Sequence, residues 1–225
     1  SFPTRRSSDL GCCRIKIYSP FDFDKVDKMI SLYGIEGVVK MSWNLVKTKL
    51  LYPNARIIRF PIDIRNKKNI DFGKNLTTGI GCRIECFPID DTGEMVLKFG
   101  ENVQMNDYVH ITAAKSVEIG DNVLMASKIY ISDCSHGSYL GDSNDSNPLT
   151  SPIGRPLSVK PVKIENNVWL GEFVSVLPGV TIGQGTIVGA NSVVSKSLPP
   201  NVIAVGSPAK PIKKFNFETN QWERI

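Results

Sequence analysis

The most regular feature of the chain is an aliphatic residue at every sixth position from residue 164 onward, with a small or β-branched residue four positions after most of them. A period of six drifts around an α-helix of 3.6 residues per turn, and the turn signals of β-hairpins are missing. The pattern predicts an all-β solenoid of hexapeptide repeats, a parallel β-helix in which three hexads make one coil. The aliphatic positions are Ile164, Leu170, Val176, Ile182, Val188 and Val194, and the small ones are Val168, Val174, Val180, Thr186 and Ser192.

The same register occurs earlier in three shorter blocks. Between successive blocks the step is 15, 8 and then 33 residues, so residues are inserted at each boundary. The longest step predicts a loop extruded at about 133–160. Glycine and asparagine in "IGDN" (119–122) and "IGQG" (182–185) are expected at corners where φ is positive. The inward positions of these blocks are Phe72, Thr78, Ile84, Phe99, Met105, Ile111, Ile119, Met125 and Ile131.

The two ends of the chain lack the hexad pattern. Residues 1–11 are predicted to be a non-native or disordered leader, and 12–56 to be an N-terminal segment with two short amphipathic helices separated near Gly34 and Gly37. The β-helix is expected to occupy 57–205. A basic tail follows at 206–225 and is expected to add a final strand or helix against a neighbouring subunit.

Composition narrows the range of functions. The net charge is only +5 and the basic residues are scattered, which disfavours a nucleic-acid partner. The five cysteines lack the C-x-x-C spacing of a zinc site, and neither a membrane span nor a secretory signal is evident, so the cytoplasm is the expected location. The second helical stretch, "VVKMSWNLVKTKLLYP", leaves a peripheral membrane contact open, although covering the end of the solenoid is the preferred role.

The stretch "VKIENNVWLGEFVSVLPGVTIGQGTIVGANSVVSKSLPPNVIAVGSPAKPIKK" strongly resembles the hexapeptide-repeat O-acetyltransferases, which include the galactoside and maltose enzymes. Through "ARIIRFP", "GENVQMNDYVHI", "ASKIYISDCSHG" and "QWERI" the similarity extends to the O-acetyltransferases of bacterial lipopolysaccharide O-antigen biosynthesis. It covers about residues 55–225. The resemblance implies a left-handed coil, a homotrimer, and acetyl-CoA bound in a groove between subunits as the donor for a sugar hydroxyl.

His136, one of two histidines, matches the family's catalytic position at the base of the predicted loop. An alcohol needs a general base during acyl transfer, and imidazole titrates near neutral pH. Asp133 is expected either to orient this imidazole or to cap a turn. Cys134 offers a less favoured route through an acyl-cysteine.

For the acceptor, the resemblance points to Asn106, whose alternative role is a corner residue with positive φ. His110 precedes an inward position, so it should point outward, as a bystander or a part of the acceptor groove. The loop itself departs from the galactoside-type pattern, because no proline follows His136. The acceptor is therefore expected to differ from a simple galactoside or maltose.

For the donor, the resemblance assigns backbone contacts with the pantetheine arm to Gly189 and Ala190. Trp169 should face outward, either beside the groove or in trimer packing. Glu172 stands where galactoside-type enzymes have a small serine, which puts that contact in doubt. A hydroxyl contact and basic residues for the CoA phosphates are expected at Ser195, Lys196, Lys210 and Lys213.

Three other functions remain to be weighed. An N-acyltransferase acting on an amino sugar nucleotide would use the same donor and base. A catalytically inert scaffold would gain no stability from CoA and lose nothing without His136. A β-helical carbonic anhydrase requires three histidines, and only His110 and His136 are present, so no metal site is expected.

Overall fold

The computed structural model describes residues 23–90 and 93–225, so the predicted leader, Cys12 and Cys13 lie outside the described residues. Two compact units divide after Lys40, and the second spans Met41–Ile225. Within the described ranges the chain forms one α-helix and 22 short strands. In chain order the elements are α1 (Phe23–Leu51), β1 (Ile57–Ile58), β2 (Asp63–Arg65), β3 (Ile70–Asp71), β4 (Thr77–Thr78), β5 (Arg83–Cys86), β6 (Leu97–Phe99), β7 (Gln104–Met105), β8 (His110–Ala113), β9 (Val117–Ile119), β10 (Leu124–Met125), β11 (Tyr130–Ser132), β12 (Cys134–His136), β13 (Leu157–Val159), β14 (Val162–Ile164), β15 (Trp169–Leu170), β16 (Ser175–Val176), β17 (Thr181–Ile182), β18 (Ile187–Val188), β19 (Val193–Val194), β20 (Val202–Gly206), β21 (Ala209–Asn216) and β22 (Gln221–Arg224).

Apart from the antiparallel pair β12–β13, the strands of Met41–Ile225 form three mainly parallel sheets. The first has the order β1-β4-β7-β10-β15-β18-β20-β21-β22, the second β19-β16-β11-β8-β5-β2, and the third β17-β14-β9-β6-β3. The chain visits the first, second and third sheets in turn and then begins again, so each circuit is one coil stacked on the last. The predicted parallel all-β architecture is confirmed.

Hydrophobic side chains at the hexad positions fill the interior of the coils. In the second sheet, Ile84, Ile111 and Ile131 are in register with one another, and each is completely buried. Full burial of one such side chain contributes roughly 1.5–3 kcal/mol. Every inward and small position predicted from the hexad pattern is buried except Phe72, which is half-buried and stacks on Phe99 with ring centroids 6.4 Å apart.

Helix α1 differs from the prediction in one respect. Its break lies at Gly34, where φ is 67° and ψ is 168°, as predicted, whereas Gly37 lies within the continuous helix. Several large apolar side chains of the helix are exposed, among them Val39, Trp43 and Leu50. The described part of the chain contains no helix with the length and apolarity that crossing a membrane requires.

Near its end, helix α1 is fixed to the chain that follows it. The hydroxyl of buried Thr48 accepts a hydrogen bond from the backbone N–H of Ile58 (2.8 Å) and donates to the carbonyl of Asn44 (2.6 Å). Residues 57 and 58 form the first strand of the first sheet. The last helical turns are therefore held against the beginning of the coil.

Two features interrupt or end the coil. Between β11 and β14 the chain leaves the sheets and forms an excursion, whose base is the antiparallel pair β12–β13. After the last coil, β20, β21 and β22 pair antiparallel and extend the first sheet. The segment expected to be a separate tail is therefore continuous with a sheet of its own chain.

Candidate active site

His136 lies at the end of β12, where the chain has left the second sheet and has not yet joined the third. The β12–β13 pairing places His136 opposite Leu157 and Cys134 opposite Val159. The histidine is exposed, and Gly137 follows with φ at 94°. The antiparallel pair β12–β13 thus presents the imidazole at the surface of the coil, where a substrate can reach it.

Asp133 is completely buried and caps a turn of the preceding coil. Its Oδ1 accepts a hydrogen bond from the backbone N–H of Ala114 (2.8 Å), and its Oδ2 accepts one each from Lys115 and Ser116 (both 2.7 Å). Within the described part of the chain, no hydrogen bond joins this carboxylate to His136. The geometry supports the turn-capping alternative for Asp133 and gives no support to the orienting role.

Cys134 is a poor candidate for an acyl carrier. Burial raises the pKa of its thiol, the Ser132 hydroxyl opposes this by hydrogen bonding, and the nearby charges of Asp133 and Glu85 raise the pKa further. Because the thiolate is the nucleophile, a raised pKa leaves little reactive sulfur at neutral pH. Direct transfer is the chemistry that this site favours.

A groove of about 270 Å³ lies near His136, although His136 is not itself among the residues that line it. Ser135 and Gly137, the two neighbours of the histidine, line it together with Ser195, which follows β19 in the last full coil. Lys196 is exposed next to Ser195. The structure therefore brings the predicted hydroxyl contact, Ser195, to the groove beside the predicted base.

Asn106, Gly189 and Ala190 lie at a different corner, where the chain turns from the first sheet to the second. Asn106 and Ala190 are exposed, and Gly189 is half-buried. The corner alternative for Asn106 is wrong, because the residue with positive φ in that turn is Tyr108, at 59°. The Asn106 side chain remains free for another role.

His110 belongs to a network around a buried carboxylate, that of Glu85, which the sequence did not reveal. His110 Nε2 lies 3.1 Å from Glu85 Oε1, and the Thr112 hydroxyl donates to the same oxygen over 3.1 Å. Arg83 Nε and Arg65 Nη1 donate to Glu85 Oε2 over 2.8 and 3.1 Å. His110 is partly exposed, and its ring packs beside that of Tyr130 with centroids 5.4 Å apart.

This network makes folding sensitive to acid. Burial raises the pKa of Glu85, but hydrogen bonds from His110, Arg83 and Thr112 and the charge of Arg83 outweigh it, so the pKa is lowered from 4.5. A lowered folded-state pKa stabilises the fold fully above about 4.5, and this stabilisation is lost as the pH falls through the folded-state value. Each unit of lowering is equivalent to about 1.4 kcal/mol.

We therefore expect the difference in unfolding free energy between the wild type and Glu85→Gln to shrink on acidification below pH 4.5. Urea unfolding at neutral and acidic pH measures this difference. A difference in unfolding free energy that does not change with pH would contradict the assignment of the charge to Glu85.

The remaining predicted donor contacts lie on the first sheet. Trp169 on β15 faces outward and is 48% exposed, as predicted. Lys210 and Lys213 are on β21, paired with Val205 and Ile203 of β20. Val205 also packs closely against Gly189. A Cβ added at residue 189 would lie 2.7 Å from Cγ1 of Val205. The lysines are thus near the Gly189 corner and on a different side of the coil from the His136 groove.

Comparison with known proteins agrees with this architecture. Residues 161–196 match the family model "Bacterial transferase hexapeptide (six repeats)". Over 197 residues, 88% of this chain and 98% of the relative, the sequence is 47% identical to WbbJ of Escherichia coli (strain K12), whose name assigns it O-acetyl transfer in lipopolysaccharide biosynthesis. It is 36% identical to the galactoside O-acetyltransferase of the same organism over 122 residues, 53% of this chain and 55% of the relative.

Among solved structures, AntD, an N-acyltransferase from Bacillus cereus in complex with dTDP and 3-hydroxybutyryl-CoA, is similar in fold. The TM-score is 0.59 at 20% identity, covering 77% of this chain and 90% of the AntD chain. AntD has also been solved with dTDP-4-amino-4,6-dideoxyglucose and coenzyme A. At this identity the likeness shows the fold alone.

Proposed function

The chain belongs to the hexapeptide-repeat O-acetyltransferases, and from this premise we propose that it acetylates a sugar hydroxyl of lipopolysaccharide O-antigen or a related surface glycan. It is an acyltransferase whose donor is acetyl-CoA. The observation that carries the proposal is the position of His136, exposed at the end of β12, where its two chain neighbours and Ser195 line one groove.

In the proposed reaction His136 acts as the general base. Its neutral imidazole takes the proton of the acceptor hydroxyl while the hydroxyl oxygen forms a bond to the thioester carbonyl carbon. The C–S bond then breaks, and the imidazolium returns the proton to the departing CoA sulfur. The products are an acetyl ester and CoA, and His136 ends in its starting protonation state. No metal takes part in this proposal.

The donor contacts proposed for this chain follow the positions described above. Gly189 and Ala190 present backbone groups to the pantetheine arm, and Trp169 borders it. Lys210 and Lys213 are placed to meet the CoA phosphates, since an ammonium group binds phosphate as a point charge. Lys196 and Ser195 would serve the part of the donor nearest His136.

We also propose that the coil is left-handed and that three copies assemble around the active sites. The left-handed coil is supported by the match to the hexapeptide-repeat family, and the trimer is supported by the division of the predicted site between two corners. Asn106, Gly189 and Ala190 lie between the first and second sheets, whereas His136 and Ser195 lie between the second and third. A site that uses both corners is completed when the first corner of one copy meets the second corner of the next.

The proposed location is the cytoplasm, with a peripheral contact at the membrane where lipid-linked glycans are made. Support comes from α1, whose exposed Trp43, Val46 and Leu50 lie beside Lys47 and Lys49. Apolar and basic groups on one helix are a feature of helices that bind at a lipid interface, whereas covering the end of the solenoid remains the preferred role of this segment. The domain limits predicted above, including a β-helix over 57–205, remain part of this proposal.

Thermal unfolding with and without CoA or acetyl-CoA tests the donor site directly. A ligand that binds only the folded state stabilises it by about 2.7 kcal/mol at a hundredfold excess over its Kd. We expect both ligands to raise the midpoint, and Lys210→Ala together with Lys213→Ala to reduce the rise. An unchanged midpoint at saturating ligand would refute the donor assignment and favour an inert scaffold.

The acceptor class is tested with radiolabelled acetyl-CoA and two sets of acceptors. One set contains O-antigen oligosaccharides, and the other contains amino sugar nucleotides such as dTDP-4-amino-4,6-dideoxyglucose. We expect label in an alkali-labile ester on the oligosaccharides. Label in an alkali-stable amide on the nucleotide would instead support N-acylation.

A further inference from the structure

Arg155 is the centre of a hydrogen-bond network inside the excursion between β12 and β13. Its Nη2 donates to the carbonyls of Thr150 (2.6 Å) and Pro148 (3.2 Å), and its Nε donates to the Thr150 hydroxyl (3.2 Å). Its Nη1 donates to the hydroxyl of Tyr139 over 2.7 Å. Four acceptors around one half-buried guanidinium fix the path of a segment that has few apolar side chains with which to pack.

The network reaches His136 through its main chain. The Tyr139 hydroxyl, which accepts from Arg155, donates to the carbonyl of His136 over 2.6 Å. On the other side of the same peptide unit, the N–H of Gly137 donates to the carbonyl of Pro156 over 2.8 Å. Both polar groups of the His136–Gly137 peptide are therefore held by the excursion.

The backbone at Gly137 is shaped to allow this contact. Its φ of 94° is a conformation that other residues rarely adopt, and a Cβ at this position would lie 2.6 Å from the Tyr139 hydroxyl. Tyr139 reaches the His136 carbonyl only because residue 137 has no side chain.

We propose that Arg155 and Tyr139 are positioning residues that fix the direction of the His136 imidazole. Fixing the peptide after His136 restricts its ψ, and pairing with Leu157 restricts the strand before it. The positive charge of Arg155 also polarises the Tyr139 O–H and strengthens its donation to the carbonyl. Neither side chain contacts the reacting atoms, so their effect passes through the main chain. The inference rests on the proposed role of His136 as general base.

The guanidinium is specific for this role. Its planar fork reaches the Tyr139 hydroxyl from one nitrogen and the carbonyls of Pro148 and Thr150 from another, and a lysine ammonium cannot reproduce that arrangement. Arg155→Lys therefore keeps the charge and should lose most of the positioning. Tyr139→Phe keeps the ring and removes only the hydroxyl.

The experiment compares Tyr139→Phe, Arg155→Lys and Arg155→Ala with the wild type, with His136→Ala as the reference for loss of the base. Arg56→Ala is the matched control, because Arg56 is exposed and makes a single side-chain hydrogen bond, to Asn102. The probe is acetyl-CoA with water as acceptor, followed as released CoA. We expect the three variants to lower turnover about tenfold to a hundredfold at an unchanged KM for acetyl-CoA, since small misplacements of a catalytic group cost up to about 10²-fold.

A second measurement reports on the imidazole itself. The chain has two histidines, so two imidazole Cε1–H signals are expected by NMR, and His136→Ala assigns them. In Tyr139→Phe and Arg155→Lys the His136 signal should shift, whereas the His110 signal and the melting temperature should not change. A role confined to loop stability would leave the His136 signal as in the wild type.

The outcomes separate this inference from the proposed function. If His136→Ala abolishes turnover while Tyr139→Phe and Arg155→Lys match the wild type in rate and in the position of the His136 signal, the positioning role is refuted and the general base stands. If His136→Ala retains full turnover, the proposed role of His136 as general base is refuted, and the positioning inference that rests on it is refuted with it. A loss of turnover in Arg56→Ala as large as that in Arg155→Ala would also refute the specific role of Arg155.

Discussion

His136→Ala is expected to lower acetyl transfer about 10²–10⁴-fold, the usual contribution of a positioned general base. The reason is chemical, because a sugar hydroxyl attacks a thioester poorly unless its proton is removed in the transition state. His136 is exposed at the end of β12 and contributes nothing to the buried core, so its loss should leave the melting temperature unchanged. CoA release and label transfer, measured over a range of acetyl-CoA concentrations, give kcat and KM for each variant.

The control for this prediction is Asn144→Ala, which changes an exposed residue of the same excursion. It should behave as the wild type. The stabilisation of His136→Ala by CoA should also be retained, because the contacts proposed for the CoA phosphates and the pantetheine arm do not involve His136. Transfer at the wild-type rate in His136→Ala would exclude histidine as the base and leave the fold and the donor site untouched.

The coil could be predicted in detail because its inward positions recur along the sequence with a fixed period. Each inward hexad position contacts equivalents one coil above and below it, as Leu170 does with Met125 and Val188. One register error would turn every aliphatic side chain outward, so the pattern determines the register. Asn122 and Gly185 were expected at corners with positive φ, and both have it, whereas Gly120 and Gly183 of the same two motifs do not.

Other corners were beyond prediction. Tyr108, Lys128 and Phe173 also adopt positive φ, at 58–60°, although steric preference assigns such positions to glycine or asparagine. Lys128 Nζ lies 4.7 Å from the centre of the Phe173 ring, so neighbouring coils stack these side chains on one another. That contact depends on how neighbouring coils stack, and the local sequence does not predict the stacking.

The site was only partly predictable for a similar reason. His136 was identifiable because it lies where the period breaks. The Glu85 network was not, because its partners Arg65, Arg83, His110 and Thr112 come from three coils and lie up to 47 residues apart in sequence. Arg155 and Tyr139 gave no signal either, since their hydrogen bonds depend on the folded path of an excursion without periodicity.

The second large effect expected is on folding, from Asp133→Ala. The Asp133 carboxylate is fully buried, so its removal leaves three backbone N–H groups without an acceptor in the interior. An unsatisfied buried donor costs about 1–3 kcal/mol, so we expect a loss of at least about 3 kcal/mol in unfolding free energy. Asp133→Asn should lose less, because one amide oxygen can still accept from Lys115 and Ser116. Urea unfolding monitored by fluorescence measures both.

Asp145→Ala provides the matched control, since its carboxylate also accepts from two backbone N–H groups, those of Leu140 and Gly141, but is exposed to water. Solvent replaces an exposed acceptor, so its loss should have a much smaller effect on unfolding. Turnover per folded molecule of Asp133→Asn then decides between the two roles weighed for Asp133. Retained turnover with reduced stability follows from turn capping, whereas normal stability with a displaced pH–rate profile would require that Asp133 orients His136 after all.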